Sequence, residues 1–132
     1  MVISDIHVPI FAVATREDHV APWKSVYKLH FLADTDVTFL LANGGHNAGV
    51  VSEPGHPRRH YQVDTRREGE LYVDAETWVA QVPVTEGSWW PEWQRWLTAH
   101  SSPERVAPPA TGAAEEGFAA LGPAPGTYVY QE

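Results

Sequence analysis

The stretch Val37–Gly49 (VTFLLANGGHNAG) decides the fold, because an apolar run rich in β-forming residues ends abruptly in glycines. Its first part, Val37–Ala42, predicts a buried strand, and Asn43–Gly45 (NGG) stops that strand sharply. His46 follows in a short loop, and the flanking glycines, including Gly49, allow the backbone to turn tightly around it. The segment therefore predicts a strand that delivers an imidazole to one edge of a sheet.

Upstream, Val8–Ala14 (VPIFAVA) is a nearly continuous apolar run, which predicts a strand buried on both faces, as in a parallel sheet. Pro22 is well placed in the first turn of a helix between the two strands. One face of that helix carries residues at positions i, i+3, i+4 and i+7: Trp23, Val26, Tyr27 and His30. The order strand, helix, strand predicts one right-handed βαβ unit.

Asp18 lies in TREDHVAPW, immediately after the first strand, as His46 does after the second. Because parallel strands end at the same edge, where open α/β sheets place their sites, the two side chains are expected to meet. An imidazole acts as a base near neutral pH, and a carboxylate fixes its tautomer. We predict a hydrogen bond between Asp18 and His46 and catalytic roles for both; ordinary loop chemistry is the alternative.

The middle of the chain is less regular. Tyr61–Val63 and Leu71–Val73 predict the short strands of a hairpin. Asp74 is an expected cap for a helix through Ala75–Val82.

A second helix is predicted after Ser88, with Pro91 in its first turn. Its tryptophans at 89, 93 and 96 share one face, which we expect to pack on the core. Beyond residue 100, proline, alanine and glycine dominate and predict an extended tail, with Thr127–Tyr130 as a terminal strand. We therefore predict two regions, a folded part over 1–100 and a tail over 101–132.

Charge and composition exclude several classes of protein. The chain of 132 residues has 17 acidic and 9 basic residues and a formal charge of -8, which disfavours nucleic acids and anionic membranes as partners. There is no cysteine, so neither disulfides nor cysteine catalysis can arise within this chain. Apolar runs are too short to span a membrane, and no signal peptide is apparent, so we expect a cytoplasmic location.

Metal binding and phosphate binding are weaker possibilities. His56 and His60 have a spacing that binds metal on a helix, but the loop context and Pro57 argue against it, and no metal site is predicted. Arg58 and Arg59 could meet the phosphates or carboxylates of a ligand, although a solvated surface pair is the simpler interpretation.

The motifs DHVAPW and GGHNAGVVSEPG, followed by GSWWPEWQRWL at Gly87–Leu97, resemble the polyhydroxyalkanoate synthases. That family has an Asp-His-x-x-Pro-Trp motif, a Gly-His-x-Ala-Gly motif and a Trp-rich C-terminal segment at nearly this spacing. The resemblance covers roughly residues 5–100 and implies the C-terminal portion of such an enzyme. The implied fold is α/β: a partial α/β-hydrolase fold, with the last βαβ unit of a parallel sheet, C-terminal helices and an extended tail.

The resemblance also implies a chemistry. These synthases polymerise (R)-3-hydroxyacyl-CoA into a polyester and release CoA, using a cysteine nucleophile, an aspartate and a histidine. Asp18 and His46 would be the catalytic residues, with His19, Trp23 and Asn47 as supporting ones. Acyl-CoA is the substrate, no cofactor is expected, and the residues that would contact CoA are not identified.

Because the nucleophile is missing, the chain is expected to be a fragment, a split gene product or a degenerate copy that is inactive alone. A homodimer, pairing with a synthase subunit, and association with polyester granules are expected partners and locations. Two alternatives stay open: a non-catalytic granule- or synthase-binding module, and the tail of another α/β-hydrolase, such as an esterase or depolymerase.

Overall fold

The structure is a computed structural model that describes residues 2–131. The chain divides into two compact units between Ser101 and Ser102. Within the described residues, the first unit contains a mixed sheet of four strands in the order β1-β2-β3-β4. The strands are β1 Ile10–Thr15, β2 Val37–Ala42, β3 His60–Arg66 and β4 Thr85–Glu86. The helices are α1 Trp23–Tyr27, α2 Leu29–Leu32, α3 Ala75–Gln81 and α4 Trp90–Ala99, and a 3₁₀ turn spans Ile3–Asp5.

The predicted βαβ unit is present. β1 and β2 pair in parallel, from Ile10 opposite Val37 to Thr15 opposite Ala42. Every residue of β2 is buried, because the strand lies between two neighbours and is covered on both faces. β1 is only partly buried, contrary to the prediction for Val8–Ala14, because it is the edge strand of the described sheet.

The rest of the sheet differs from the sequence prediction. β3 pairs antiparallel with β2, and β4 pairs antiparallel with β3, so the sheet is mixed rather than parallel throughout. Of the predicted hairpin, the strand at Tyr61–Val63 lies within β3, but its pairing with Leu71–Val73 is wrong, since that second segment is an exposed loop. Tyr72 instead stacks on the ring of Phe31, with 3.8 Å between centroids, and the carbonyl of Val73 accepts the Tyr27 hydroxyl at 2.9 Å, so this loop contacts α1 and α2.

The helices follow the predicted starts more closely than the predicted lengths. The helix expected after Pro22 consists of two short pieces separated at Lys28, whose backbone lies at φ -59 and ψ -13. α3 begins after Asp74 as predicted, and the Asp74 carboxylate accepts a hydrogen bond from the Thr77 N–H at 3.0 Å. α4 begins two residues after Ser88 with proline in its first turn; Trp89 is the N-cap residue, and the Ser88 hydroxyl accepts the Trp90 N–H at 3.1 Å.

Alternation along the strands divides the core between the two faces of the sheet. On one face Phe39 and Leu41 pack with Tyr27 of α1 and Trp78 of α3. On the other face Leu40, Ala42 and Tyr61 pack with Trp89, which directly precedes α4. The first unit is therefore a three-layer α/β arrangement, which confirms the predicted α/β class.

The second unit contains short 3₁₀ turns at Ala114–Glu116 and Tyr128–Tyr130 and an isolated bridge between Ala113 and Phe118. The terminal strand predicted at Thr127–Tyr130 is wrong, because three of these residues form a 3₁₀ turn. Among the described residues, no helix combines the length and the apolar character needed to cross a membrane.

Candidate active site

Asp18 lies in the turn that follows β1, where its carboxylate is almost fully hydrogen-bonded. Oδ1 accepts the backbone N–H groups of Val20 and Ala21, each at 2.8 Å. Oδ2 faces the Thr15 hydroxyl at 3.5 Å and the imidazole of His46 at 2.8 Å. The side chain is only 8% exposed. This turn therefore holds one carboxylate in a fixed orientation at the sheet edge.

The same contacts lower the pKa of Asp18 to about 2. The N–H of Ala21 has the largest effect, and burial opposes it, while the bonds from His46 and Val20 lower the pKa further. Asp18 is therefore ionised throughout the neutral range, and it can stabilise a positive charge on the neighbouring ring.

His46 lies in the loop after β2, and the structure contains the predicted hydrogen bond between its Nδ1 and Oδ2 of Asp18. Gly44 at φ 97 provides the turn out of the strand, in a region of backbone conformation that favours glycine. The N–H of Gly49 then donates to the carbonyl of Gly45 at 2.9 Å and closes the loop over His46. With Nδ1 bonded to the carboxylate, Nε2 is the nitrogen that can exchange a proton. The ring is 47% exposed, so Nε2 can exchange this proton with a group that does not belong to this chain.

The two loops also contact each other through their backbones. Arg16 donates its N–H to the carbonyl of Ala42 at 2.9 Å, and Glu17 donates to that of Gly44 at 3.0 Å. A side chain at Gly49 would begin 2.4 Å from Cγ2 of Thr15, so only glycine fits there without displacement. The carboxylate and the imidazole are thus brought together by the paired strands and by direct contact between their loops.

The three supporting residues predicted from sequence lie outside this pair. His19 and Asn47 are exposed. Trp23 begins α1 and packs against the core, with its ring edge-on to Tyr27 at 6.3 Å. Within the described part of the chain, none of these side chains is hydrogen-bonded to Asp18 or His46, and their roles stay predictions.

Sequence reasoning missed other residues that support the pair. Thr15 ends β1 and directs its hydroxyl towards the carboxylate, and the position of a small polar residue at the strand terminus was the available signal. The indole N–H groups of Trp89 and Trp90 donate to carbonyls that follow the His46 loop. The sequence predicts core packing for Trp89 and places Trp90 in the Trp-rich motif, but it predicts no bond from either residue to this loop.

The remaining polar candidates form no metal centre. Over residues 2–131, no group of three or more His, Asp or Glu side chains is arranged to hold a metal ion. His56 donates its Nδ1–H to the Pro57 carbonyl at 3.0 Å in a loop, while His60 begins β3. Arg58 is exposed and has φ 59, and Arg59 lies half-buried beside the His46 loop, near Gly44.

Comparison with known proteins identifies relatives over nearly the whole chain. No family model matches. The "Poly(3-hydroxyalkanoate) polymerase" of Methylorubrum extorquens is 43% identical over 129 residues, covering 96% of this chain and 20% of that protein. The "Poly(3-hydroxyalkanoate) polymerase 2" of Ectopseudomonas oleovorans is 37% identical over 127 residues, covering 96% and 22%. This chain is homologous to a segment of the poly(3-hydroxyalkanoate) polymerases.

A third relative is described as a polymerase subunit. The "Poly(3-hydroxyalkanoate) polymerase subunit PhaC" of Cupriavidus necator is 35% identical over 128 residues, covering 96% of this chain and 20% of the relative. The chain thus spans about a fifth of the length of the curated polymerases it matches. The resemblance to the C-terminal portion of polyhydroxyalkanoate synthases is confirmed.

Proposed function

We propose that this chain is the portion of a poly(3-hydroxyalkanoate) polymerase that supplies the catalytic aspartate and histidine, Asp18 and His46. The observation that carries the proposal is the 2.8 Å bond between their side chains at a shared sheet edge. The relatives named above are polymerases, which favours this function over an esterase or depolymerase.

In the proposed reaction the nucleophile is a cysteine thiol from outside this chain, because the chain has no cysteine. His46 Nε2 accepts the thiol proton while the sulfur bonds to the acyl carbon of a 3-hydroxyacyl-CoA. The bond from that carbon to the CoA sulfur then breaks, and the departing thiolate takes the proton from His46. Asp18 keeps Nδ1 protonated and stabilises the imidazolium between the two transfers.

A matching proposal concerns the fold. We infer that β1 and β2 are the last parallel strands of an α/β-hydrolase-type sheet, and that the outer edge of β1 pairs with a strand from the remaining part of the polymerase. Partial burial of β1, in contrast to full burial of β2, supports this inference. Residues 1–100 would then belong to the catalytic domain and 101–132 to a separate tail, in the cytoplasm at the granule surface.

A chimera tests the catalytic proposal. The matching segment of the Methylorubrum extorquens polymerase is replaced by this chain, and CoA release from 3-hydroxybutyryl-CoA is measured. We expect the chimera to be active, His46→Gln to abolish turnover and His7→Gln, at an exposed position, to leave it unchanged. Full activity of the His46→Gln chimera, or robust turnover by this chain alone, would contradict the proposal.

The second candidate function is a non-catalytic module that binds granules or a synthase subunit through its tryptophan face. Exposure of Trp93 favours it, but Trp89 is buried against the sheet and unavailable to a partner. Co-sedimentation of the wild type and a Trp93→Ser variant with polyester granules separates the two. Binding that depends on Trp93, together with an inactive chimera, would favour the module.

A further inference from the structure

Three consecutive residues before and at the start of α4 are bonded to the segment that follows His46. The indole Nε1–H of Trp89 donates to the carbonyl of Gly49 at 3.2 Å. The indole of Trp90 donates to the carbonyl of Val50 at 2.9 Å. Ser88 donates its hydroxyl to the carbonyl of Ser52. One short motif therefore binds three carbonyls along a single stretch of loop.

Gly49 connects these bonds to the candidate site. Its N–H closes the turn that contains His46, by donating to Gly45 at 2.9 Å. Its Cα lies so close to Thr15 that no side chain fits between them. Since Trp89 fixes the carbonyl of the same residue, any movement of this indole is passed to both the His46 turn and the end of β1.

The two indoles are themselves well anchored. Trp89 is 6% exposed and packs against Leu40, Ala42 and Tyr61 on one face of the sheet. Trp90 packs against the same cluster. The Ser88 hydroxyl accepts the Trp90 N–H, so the helix start and the loop share one hydrogen-bonded residue. These contacts make the motif a rigid support for an otherwise exposed loop.

We infer that Trp89 and Trp90 are positioning residues, which hold the His46 loop so that Nδ1 stays within hydrogen-bonding distance of Asp18. The functional part of this inference rests on the proposed role of His46 as the base. Neither indole contacts the reacting groups: each acts through the backbone of Gly49 or Val50. This gives the Trp-rich motif a role beyond core packing.

The first test measures geometry in this chain without any need for activity. Histidine ring nitrogens are ¹⁵N-labelled, and the NMR signals of His46 are assigned by their loss in His46→Gln. In the wild type, we expect the tautomer protonated at Nδ1 to predominate. Trp90→Phe should shift the His46 ring-nitrogen signals and speed exchange of the Nδ1 proton, while Trp96→Phe, on the same helix but packed on Phe11 and His100, should change neither.

Trp90 is chosen first because it is less buried than Trp89, so its replacement is better tolerated. Trp89→Phe is the second variant, and far-ultraviolet circular dichroism checks that each protein is folded. His46 signals that match the wild type in folded Trp89→Phe and Trp90→Phe would overturn the inference.

A second readout uses the chimera described above. Trp90→Phe should lower kcat by about 10- to 100-fold with little change in KM, as expected when a reacting group is misplaced by a fraction of an ångström to about 1 Å. Trp96→Phe should retain both constants. If Trp90→Phe changes the His46 NMR signals but His46→Gln leaves turnover intact, the positioning inference holds and the proposed function is wrong. If His46→Gln is inactive but kcat is unchanged in Trp90→Phe, the proposed function holds and the positioning role is wrong.

Discussion

His46 and His30 occupy opposite environments in the same unit. His46 is 47% exposed and bonded to the Asp18 carboxylate. His30 is 6% exposed and packs between the rings of Tyr27 and Phe39, with centroids 4.4 Å and 5.8 Å away. Within the described residues, its Nε2 has no hydrogen-bond partner. A histidine becomes suited to proton transfer through a carboxylate and an open face, whereas burial alone makes it an uncharged packing group.

The pKa of His30 reflects this difference. Burial, together with a smaller effect of the nearby Arg66, lowers this pKa from 6.5 to about 4, while Asp64 opposes both effects. His30 is therefore neutral at pH 7, and the exposed and buried histidines are expected to respond differently to mutation and acid.

The largest expected effect comes from removing the carboxylate of the exposed pair. In the chimera, Asp18→Asn should lower the rate of CoA release by about 10³- to 10⁴-fold, because an amide no longer fixes the tautomer or stabilises the imidazolium. Asp34→Asn, at an exposed position, is the matched control. A loss smaller than tenfold in Asp18→Asn would show that the carboxylate is not what suits His46, in contrast to His30, to proton transfer.

The next effect concerns the aromatic core around His30. Phe39 is completely buried and packs against Tyr27, Trp78 and His30. Phe39→Ala should lower the free energy of unfolding by about 3–5 kcal/mol, through lost burial and the cavity left behind. Urea denaturation measures it, with Phe31→Ala as an exposed control expected to cost about 1 kcal/mol. Equal losses in the two variants would contradict the assigned core.

Lowering the pH should affect the contributions of His30 and Asp18 to stability in different pH ranges. Unfolding raises the pKa of His30 from about 4 to 6.5, so the unfolded chain binds the proton first. The free energy of unfolding should therefore fall as the pH drops from about 6.5 to 4, by at most about 3 kcal/mol. The contribution of Asp18, with its pKa lowered from 3.8 to about 2, is present above pH 3.8 and is lost only as the pH falls towards 2.

Urea unfolding curves across this range measure the effect, and His30→Phe should remove the loss between pH 6.5 and 4. His7→Gln serves as the control at an exposed position. An unchanged pH dependence in His30→Phe would show that other groups cause the acid sensitivity.

The smallest effect tests whether the two regions are independent. Asp74 caps α3 by accepting bonds from the N–H and hydroxyl of Thr77, at 3.0 and 2.6 Å. Asp74→Ala should cost about 1 kcal/mol of stability in urea denaturation. Because α3 covers the His30 face, the NMR signals of His46 should stay as in the wild type. A change in those signals would indicate coupling through the sheet.

The sequence alone predicts those elements whose local hydrophobic pattern matches their burial and position in the folded sheet. β2 has the predicted bounds because its apolar run is buried on both faces and glycines end it. Asp18 and His46 are predictable as neighbours because parallel pairing brings the two strand ends together. Burial of β1 on both faces is not realised, since burial depends on what lies beside the strand rather than on its own residues.

Other features depend on contacts that no local pattern records. β3, HYQVDTR, is predicted only over Tyr61–Val63, because its polar residues hide the rest of the strand, which forms through backbone pairing with β2. β4 has only two residues, which is below the length at which alternation is visible. The bonds from Trp89 and Trp90 to the His46 loop join residues 40 positions apart. The motif therefore identifies the two tryptophans but does not predict which carbonyls they bind.

β1 and β2 pair in register, from Ile10 opposite Val37 to Thr15 opposite Ala42. This pairing affects which mutations the site can tolerate. Backbone bonds, rather than strand side chains, set how far apart the two loops leave the sheet. Apolar substitutions within either strand can therefore accumulate without disturbing the spacing of carboxylate and imidazole. A single inserted or deleted residue in one strand would offset the two loops by about 3.3 Å and reverse the faces of the side chains beyond it.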